Sequence, residues 1–192
     1  SKELFELAYK TVLDIQGKGS GFDVAAAIYG GTLYFMTGGK VIEPLDVNEL
    51  PLVVGYSGVK ADTVTLMNQV LELSKKKPDM VEGIYNKMRD LVEEAKVALV
   101  AKNWTELGRL MTEDQELLKR LGVSTEKLDA MTTVACSAGA YGAKLSGAGG
   151  GDCMIALTPQ DKLKATGSKI QEVGGEVINI QTNVEGVRTE LI

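Results

Sequence analysis

The glycine-rich segment of KLSGAGGGDCMIAL, residues 144–157, constrains the fold more than any other part of this sequence. Gly147, Gly149, Gly150 and Gly151 stand directly before an apolar run. Without Cβ atoms, they permit positive φ angles and let backbone N–H groups approach an anion or another chain segment closely. Their spacing fits neither the dinucleotide-binding fingerprint nor the Walker loop, so both are excluded. The segment predicts either a tight turn between two strands or a functional loop.

Helical and strand-like patterns alternate along the rest of the chain. Apolar residues recur at helical spacing over residues 2–16, and this helix is predicted to end at Gly17. Further predicted helices cover VAAAIY, 61–76, 79–101, 104–121, 125–138 with Ser124 as its N-cap, and 160–173. The predicted strands are TLYFM, LVVGY, AKLS, CMIAL, EVINIQ and VRTEL. This order predicts an α+β fold, a two-layer sandwich with a split βαβ (ferredoxin-like) core.

The composition limits the classes of protein to consider. At 192 residues, 44% of them hydrophobic, the chain is long enough for one good core or two small ones. Its net charge of -5 disfavours a nucleic-acid surface, which needs a basic face. It contains no histidine, which excludes a Ser-His-Asp or Cys-His nucleophile and any His-ligated metal in this chain.

The two cysteines, Cys136 and Cys153, are isolated in the sequence. They fit neither a paired metal-ligand motif nor a disulfide framework, and both are predicted to be small buried residues. No segment has the length of a membrane span, and no charged start followed by an apolar segment suggests a signal peptide. The sequence therefore predicts a cytoplasmic protein without a membrane partner.

A second glycine-containing loop, GKGSGFDVAAAIYGG at residues 17–31, carries Asp23. This residue lies between a flexible turn and an alanine-rich apolar segment, where a carboxylate can be held beside a cleft. One interpretation is that Asp23 or Ser20 caps the helix that follows, as such residues commonly do. The other is that Asp23 is a base or an orienting group for a substrate hydroxyl, as phosphoryl transfer requires. The loop alone leaves both interpretations open.

Taken together, the two motifs resemble the second half of a GHMP-type small-molecule kinase. GSGFDVAAAIYGG and KLSGAGGGDCMIAL lie far apart in the chain, with the helical block between them. The stretches VVGYSGVKADT and GRLMTEDQELLKRLGVSTEKLDAM resemble mevalonate kinases of the archaeal type. The resemblance covers nearly the whole chain, and the joint match is far more specific than either glycine loop.

The resemblance implies a two-domain kinase whose cleft binds ATP, with Mg2+, and phosphorylates the hydroxyl of mevalonate in isoprenoid-precursor synthesis. It implies that residues 1–50 are the end of an N-terminal kinase domain and residues 51–192 the C-terminal kinase domain. Asp23 would be the catalytic residue that accepts or orients the proton of the attacking hydroxyl. The residues assigned to the substrate and nucleotide cleft are Lys18, Ser20, Gly21, Ser146, Gly147, Ala148, Gly149, Gly150 and Gly151. No metal ligand is assigned.

One segment of the family pattern is absent from this sequence. Kinases of this family carry an earlier phosphate loop, resembling P-x-G-x-G-L-G-S-S-A, before the helix predicted over residues 2–16. We therefore expect the 192 residues to be the C-terminal portion of a longer kinase, or one piece of a cleaved one, with the N-terminal half as its partner. Because phosphoryl transfer depends on alignment and charge neutralisation, these residues alone are predicted to bind Mg-ATP weakly or not at all.

The substrate and the class of function each have an alternative. GSGFDVAAA and the Asp152-Cys153 pair also resemble phosphomevalonate kinases, whose phosphorylated acceptor requires extra cationic contacts. Lys18, Lys60 and Lys144 are candidates for these contacts. The alternative from another class is a noncatalytic ligand-binding or dimerisation module, in which the acidic residue is a cap and the glycines are turns. A homodimer is compatible with either class.

Overall fold

Two compact units make up the computed structural model of this chain, which describes residues 1–190. The first unit comprises Ser1–Leu50 and the chain from Gln181 onward, and the second is Pro51–Ile180. Each unit has a hydrophobic cluster of its own. Within the described residues, no helix has both the length and the apolar character needed to cross a membrane.

The first unit is built from two helices and a β-hairpin. Its elements are α1 (Lys2–Gln16), α2 (Phe22–Tyr29), β1 (Thr32–Met36) and β2 (Val41–Leu45), with β1 and β2 antiparallel. Phe5 of α1 is buried with Ala25 and Ile28 of α2. The Phe5 ring also meets the Phe35 ring of β1 edge-on, with 6.2 Å between their centroids. These contacts bury one residue of α1 and one side of α2, while other large apolar residues of α1 stay exposed.

The predicted helices over 2–16 and VAAAIY and the strand TLYFM are confirmed, but β2 was not predicted. Its sequence, VIEPL, contains Pro44 and lacks a clean alternation of apolar and polar residues. A proline has no N–H to donate to a ladder, so it argues against a central strand. The strand forms nevertheless, because in a two-stranded sheet each strand has one side that needs no partner.

The second unit packs helices against a four-stranded antiparallel sheet. Its elements are β3 (Leu52–Tyr56), α3 (Thr63–Lys76), α4 (Pro78–Val100), α5 (Trp104–Arg120), α6 (Glu126–Ser137), β4 (Gly142–Leu145), β5 (Cys153–Leu157), α7 (Leu163–Glu172) and β6 (Glu176–Ile178). The strand order is β4-β5-β3-β6, with every neighbouring pair antiparallel. β3 and β4 therefore run parallel with β5 between them, and the predicted split βαβ arrangement is confirmed.

Local signals set the helix boundaries in the second unit. Pro78 is the first residue of α4, where its missing N–H leaves no helical hydrogen bond unmade. The side chains of Asp62 and Asn103 cap α3 and α5, respectively. Each accepts a hydrogen bond from the backbone amide three residues later in the chain. The predicted cap Ser124 is wrong, because Thr125 caps α6. Ser124 is instead engaged by side chains of neighbouring elements, which local sequence does not reveal.

The main core lies between α5, α6 and the sheet of the second unit. Its fully buried side chains include Leu110, Leu128, Met131, Leu145, Met154 and Leu157. A leucine buried to this extent contributes about 1.5–3 kcal/mol relative to an exposed one. The core therefore holds β4 and β5 firmly and fixes where the connection between them begins and ends.

The last strands are shorter than predicted. EVINIQ forms a strand only over β6, and residues 187–190 of VRTEL form none, while residue 191 lies outside the described residues. Among the described residues after β6, the β-type pairing consists of a single antiparallel bridge between Gly30 and Glu185. Alternating residues predict a strand only where a neighbouring edge is free to pair with it, and a sequence pattern does not reveal free edges.

The prediction that both cysteines are buried is wrong. Cys136, near the end of α6, is exposed, and Cys153, the first residue of β5, is half-buried. Partial burial raises the pKa of the Cys153 thiol, and the neighbouring Asp152 carboxylate raises it further. Since the thiolate is the nucleophilic form, Cys153 is held in its unreactive state at neutral pH.

Gly83 tests how much helix propensity contributes to α4. It is exposed, and a Cβ added there would meet no heavy atom within 4 Å. We expect Gly83→Ala to raise the free energy of unfolding by roughly 0.5–1 kcal/mol, because alanine restricts the unfolded chain and favours the helix. Urea unfolding of the complete protein measures this gain, and a loss of stability would contradict the open environment of Gly83.

Candidate functional site

The connection between β4 and β5 is the glycine loop, defined here as residues 146–151. At its start, the amide of Ser146 donates a hydrogen bond to the Cys153 carbonyl at 2.8 Å. In its middle, the amide of Gly150 donates to the Val123 carbonyl at 2.7 Å. The segment is thus a turn between antiparallel strands, and it is anchored to the short connection between α5 and α6.

Close packing accounts for three of the glycines. At each of them, an added Cβ would overlap an atom of a neighbouring segment. The atoms concerned are the Val123 carbonyl oxygen for Gly149, the Leu66 side chain for Gly150 and the Val59 carbonyl oxygen for Gly151. A backbone carbonyl cannot turn aside as a side-chain end can. The glycine run is therefore required first by the packing of the loop against α3 and two connections.

The exposed end of the loop has a different character. Gly147 and Ala148 are exposed, and a Cβ on Gly147 would meet no heavy atom within 4 Å. The amides of residues 147–149 make no hydrogen bond to any described residue. Successive free N–H groups in a turn are the usual components of anion-binding concavities, including those that hold phosphates. The backbone amides at this end of the loop are therefore available to bind a ligand.

The turn that follows β3 supports the far end of the glycine loop. The amide of Asp152 donates to the Val59 carbonyl at 2.7 Å, and its carbonyl accepts from the Ser57 amide at 2.8 Å. Ser57 is buried, and its hydroxyl donates to the Val59 carbonyl at 3.2 Å. Asp152 has a positive φ of 54°. Asp152 is thus a turn residue held by backbone hydrogen bonds, and Ser57 acts in the same region.

The three lysines considered for substrate contacts differ in how free they are. The Nζ of Lys144 lies 3.4 Å from the Asp114 carboxylate and donates to the Leu145 carbonyl at 2.8 Å. Lys60 is exposed, Lys18 is half-buried, and neither forms an ion pair with a described residue. Lys144 is thus engaged within its own unit, whereas Lys18 and Lys60 keep free ammonium groups.

The other predicted site residues belong to the first unit. They are Lys18, Ser20 and Gly21, on the connection between α1 and α2, and Asp23, in the first turn of α2. The Tyr9 hydroxyl donates to the Gly19 carbonyl at 2.7 Å, and the Gly38 amide donates to the Ser20 carbonyl at 2.9 Å. The connection is therefore held in place from α1 and from the β-hairpin.

Gly21 determines how α2 begins. It is the N-cap residue with a φ of 86°, and an added Cβ would lie 2.9 Å from the Tyr9 ring. No side chain caps α2, so the interpretation of Ser20 or Asp23 as its cap is wrong. Asp23 is exposed, and its carboxylate makes no hydrogen bond or ion pair with a described residue. The helix dipole favours a negative charge at this position.

The two groups of predicted residues lie in different units. Asp23 belongs to the first unit and the glycine loop to the second. Their meeting at one cleft stays a prediction. Among residues 1–190, no group of three or more Asp, Glu or Cys side chains could hold a metal ion.

A partly buried polar cluster beside the glycine loop was not predicted. It consists of Gln115 on α5, Ser124 before α6 and Asp129 on α6, joined by hydrogen bonds of 2.6–3.0 Å. One signal was present in the sequence, because Gln115 lies between Met111 and Leu118 on a helical apolar stripe. A polar residue in such a stripe is buried with partners that only the folded chain supplies.

Residues 95–176 match the family described as GHMP kinases C terminal. The chain contains a GHMP kinase C-terminal domain. The matched residues run from within α4 to the start of β6 and include the glycine loop.

Among relatives of this chain, the mevalonate kinase of Pyrococcus horikoshii is 40% identical over 98% of this chain. A crystal structure of L. major mevalonate kinase in complex with R-mevalonate superposes with a TM-score of 0.76 at 30% identity, over 81% of this chain and 49% of that one. Phosphomevalonate kinase of Streptococcus pneumoniae, in complex with phosphomevalonate and AMPPNP, has a TM-score of 0.76 at 18% identity, over 91% of this chain and 60% of that one. At that identity the similarity shows the fold alone. The chain spans 57% of the length of the Pyrococcus relative.

Proposed function

We propose that the complete protein containing this chain transfers the γ-phosphoryl group of ATP to the hydroxyl of mevalonate. The observation that carries the proposal is the state of Asp23. It is an exposed carboxylate in the first turn of a helix, without a partner among the described residues, in a chain akin to mevalonate kinases. An unpaired carboxylate is free to accept a hydrogen bond from a substrate hydroxyl.

Asp23 would act on the acceptor alcohol. Its carboxylate accepts the hydroxyl proton, or orients the hydroxyl for in-line attack, as the new oxygen–phosphorus bond forms and the bond from the γ-phosphorus to the β–γ bridging oxygen of ATP breaks, releasing ADP. Gly21 supports this role by its left-handed conformation and its packing on Tyr9, which determine where α2 and its first turn begin. Because orientation dominates phosphoryl transfer, a firmly placed helix start is the physical requirement for such a residue.

The glycine loop is proposed to contact the anionic end of the nucleotide. The free amides of residues 147–149 fit this role, because backbone N–H groups bind phosphate oxygens without carrying a charge. ATP supplies the phosphoryl group that is transferred. Magnesium in kinase sites is usually held by one or two carboxylates together with substrate phosphates, and when bound it would neutralise part of the phosphate charge.

Mevalonate is preferred over its 5-phosphate as the acceptor. A phosphorylated acceptor calls for additional cationic side chains, and of the three lysines considered, Lys144 is already engaged by Asp114. This leaves Lys18 and Lys60 for other anionic groups. Phosphomevalonate kinase activity is the less favoured alternative, because this chain is 40% identical to the Pyrococcus mevalonate kinase and only 18% identical to the phosphomevalonate kinase structure.

The acceptor is tested by supplying the complete protein with ATP and either mevalonate or mevalonate 5-phosphate. We expect kcat/KM for mevalonate to exceed that for the 5-phosphate by about 100-fold or more, because the 5-phosphate carries a charged phosphate in place of the attacking hydroxyl, and a site that orients an alcohol does not compensate the desolvation of that phosphate. ADP release is followed in both reactions. Faster turnover of the 5-phosphate would reverse the assignment of substrate.

Several features of the complete protein are proposed together with this activity. Residues 1–50 would end the N-terminal kinase domain and residues 51–192 would form the C-terminal one, although the chain from Gln181 onward belongs to the first compact unit. Further residues of the same protein would complete the nucleotide site. The last point is supported by the length of this chain, which spans 57% of the Pyrococcus relative. Two unpaired cysteines and the use of ATP support a cytoplasmic location. A homodimer is compatible with this activity.

A further inference from the structure

Gln115 of α5 is a buried polar residue whose hydrogen-bonding groups are all engaged. Only 4% of its surface is exposed. Its Oε1 accepts a hydrogen bond from the Leu145 amide at 2.8 Å. Its Nε2 donates to the Ser124 hydroxyl and to the Asp129 carboxylate, each at 3.0 Å. A buried amide in such an environment is held in one orientation, because every other orientation leaves polar groups unpaired.

The first of these bonds fixes the entry to the glycine loop. Leu145 is the last residue of β4, which lies at the edge of the sheet. Its amide has no strand partner on that side, and Gln115 takes the place of one. The Leu145 carbonyl accepts from the Lys144 ammonium. At the residue directly before the loop, side chains therefore make the hydrogen bonds that a neighbouring strand would otherwise make.

The other two bonds fix the segment on which the loop rests. Ser124 donates a short hydrogen bond of 2.6 Å to Asp129 while accepting one from Gln115. Val123, the residue before Ser124, supplies the carbonyl that accepts from the Gly150 amide at 2.7 Å. Gly149 packs directly against the same carbonyl. One side chain thus connects the entry of the glycine loop with the support under its middle.

We propose that Gln115 is a positioning residue that holds the glycine loop in the geometry needed to bind the nucleotide phosphates. Its effect on the reaction rests on the proposed function, whereas its effect on the loop does not. Gln115 touches neither substrate nor nucleotide in this role. It sets the relative positions of Leu145 and Val123, and so the direction in which the amides of residues 147–149 point.

The donor and acceptor pattern of the cluster suggests a test by exchange of partners. In Gln115→Glu, two carboxylates face each other and the Nε2 donors are lost, so the cluster is mismatched. In the double variant Gln115→Glu with Asp129→Asn, the new amide can donate to the new carboxylate, and the match is restored. Gln115→Met is a third variant, which keeps the volume and removes all three hydrogen bonds.

The variants are compared in the complete protein by hydrogen exchange of residues 146–151, measured by mass spectrometry, and by steady-state kinetics with ATP. We expect Gln115→Glu and Gln115→Met to speed exchange in the loop and to lower kcat/KM for ATP roughly 10-fold, since small misplacements of binding groups are costly. The double variant is expected to recover most of both effects. Gln115→Met keeps the test decisive if the mismatched variant does not fold.

Leu91→Ala, in the buried face of α4, is the control for a general loss of stability. It removes core packing but none of the hydrogen bonds of the cluster, and it is expected to leave exchange in residues 146–151 unchanged. Loop exchange that is unaltered in both Gln115 variants, or equally altered in Leu91→Ala, would overturn the proposal. Absence of mevalonate phosphorylation by the unmodified protein would defeat the proposed function, while the exchange pattern would still decide whether Gln115 positions the loop.

Discussion

Replacing Asp23 by asparagine is expected to lower kcat for mevalonate phosphorylation by roughly 100- to 10,000-fold in the complete protein, the range typical of losing a general base. Asparagine keeps the size of the side chain but cannot accept a proton. No side chain caps α2, and the Asp23 carboxylate has no partner among the described residues. The fold therefore loses no hydrogen bond of this carboxylate, and the nucleotide is expected to bind as before.

The measurement needs three readouts and one matched variant. Turnover is followed by ADP release, nucleotide affinity by calorimetry and folding by thermal unfolding. Asp14→Asn, an exposed acidic residue of α1, is the control for loss of one negative charge and should retain full turnover. Unchanged turnover in Asp23→Asn would rule out a catalytic role for this residue and favour a noncatalytic binding or dimerisation module.

Gly149→Ala is expected to lower the free energy of unfolding of the second unit by roughly 3 kcal/mol, combining backbone strain with overpacking. The residue has a φ of 84°, in the left-handed region. Its added Cβ would overlap the Val123 carbonyl oxygen, the same atom that accepts from the Gly150 amide. Relief of the overlap would break that hydrogen bond and release the middle of the glycine loop. Urea unfolding of the complete protein measures the effect.

Gly147→Ala separates the two causes. Gly147 has a similar φ of 77°, but its added Cβ would meet no heavy atom within 4 Å. This variant is expected to lose only about 1 kcal/mol, the cost of placing alanine in the left-handed region. Equal losses in the two variants would show that the contact with Val123 contributes nothing to the stability of the loop.

Local sequence patterns predicted most of the secondary structure, and the glycine run predicted the turn between β4 and β5. The helical spacing of apolar residues located α1, α3, α4, α5 and α6 to within a few residues of their ends. The same reasoning missed β2, because a proline and an irregular pattern hid a strand that needs only one neighbour. It also chose Ser124 over Thr125 as a cap, since both residue types suit that position.

The sequence by itself determined the order of helices and strands in the second unit, from which the split βαβ topology was predicted, because the period of apolar residues is a local property of the chain. Only the tertiary structure decided which polar groups have partners: Gln115 joins Leu145 to Asp129, and Asp23 caps nothing. It also decided how the surroundings of the glycines differ. A Cβ added to Gly149 would overlap the Val123 carbonyl oxygen, whereas one added to Gly147 would meet no heavy atom within 4 Å. The physical reason is that these contacts join residues distant in the chain, and no periodicity encodes which distant atoms a side chain will meet.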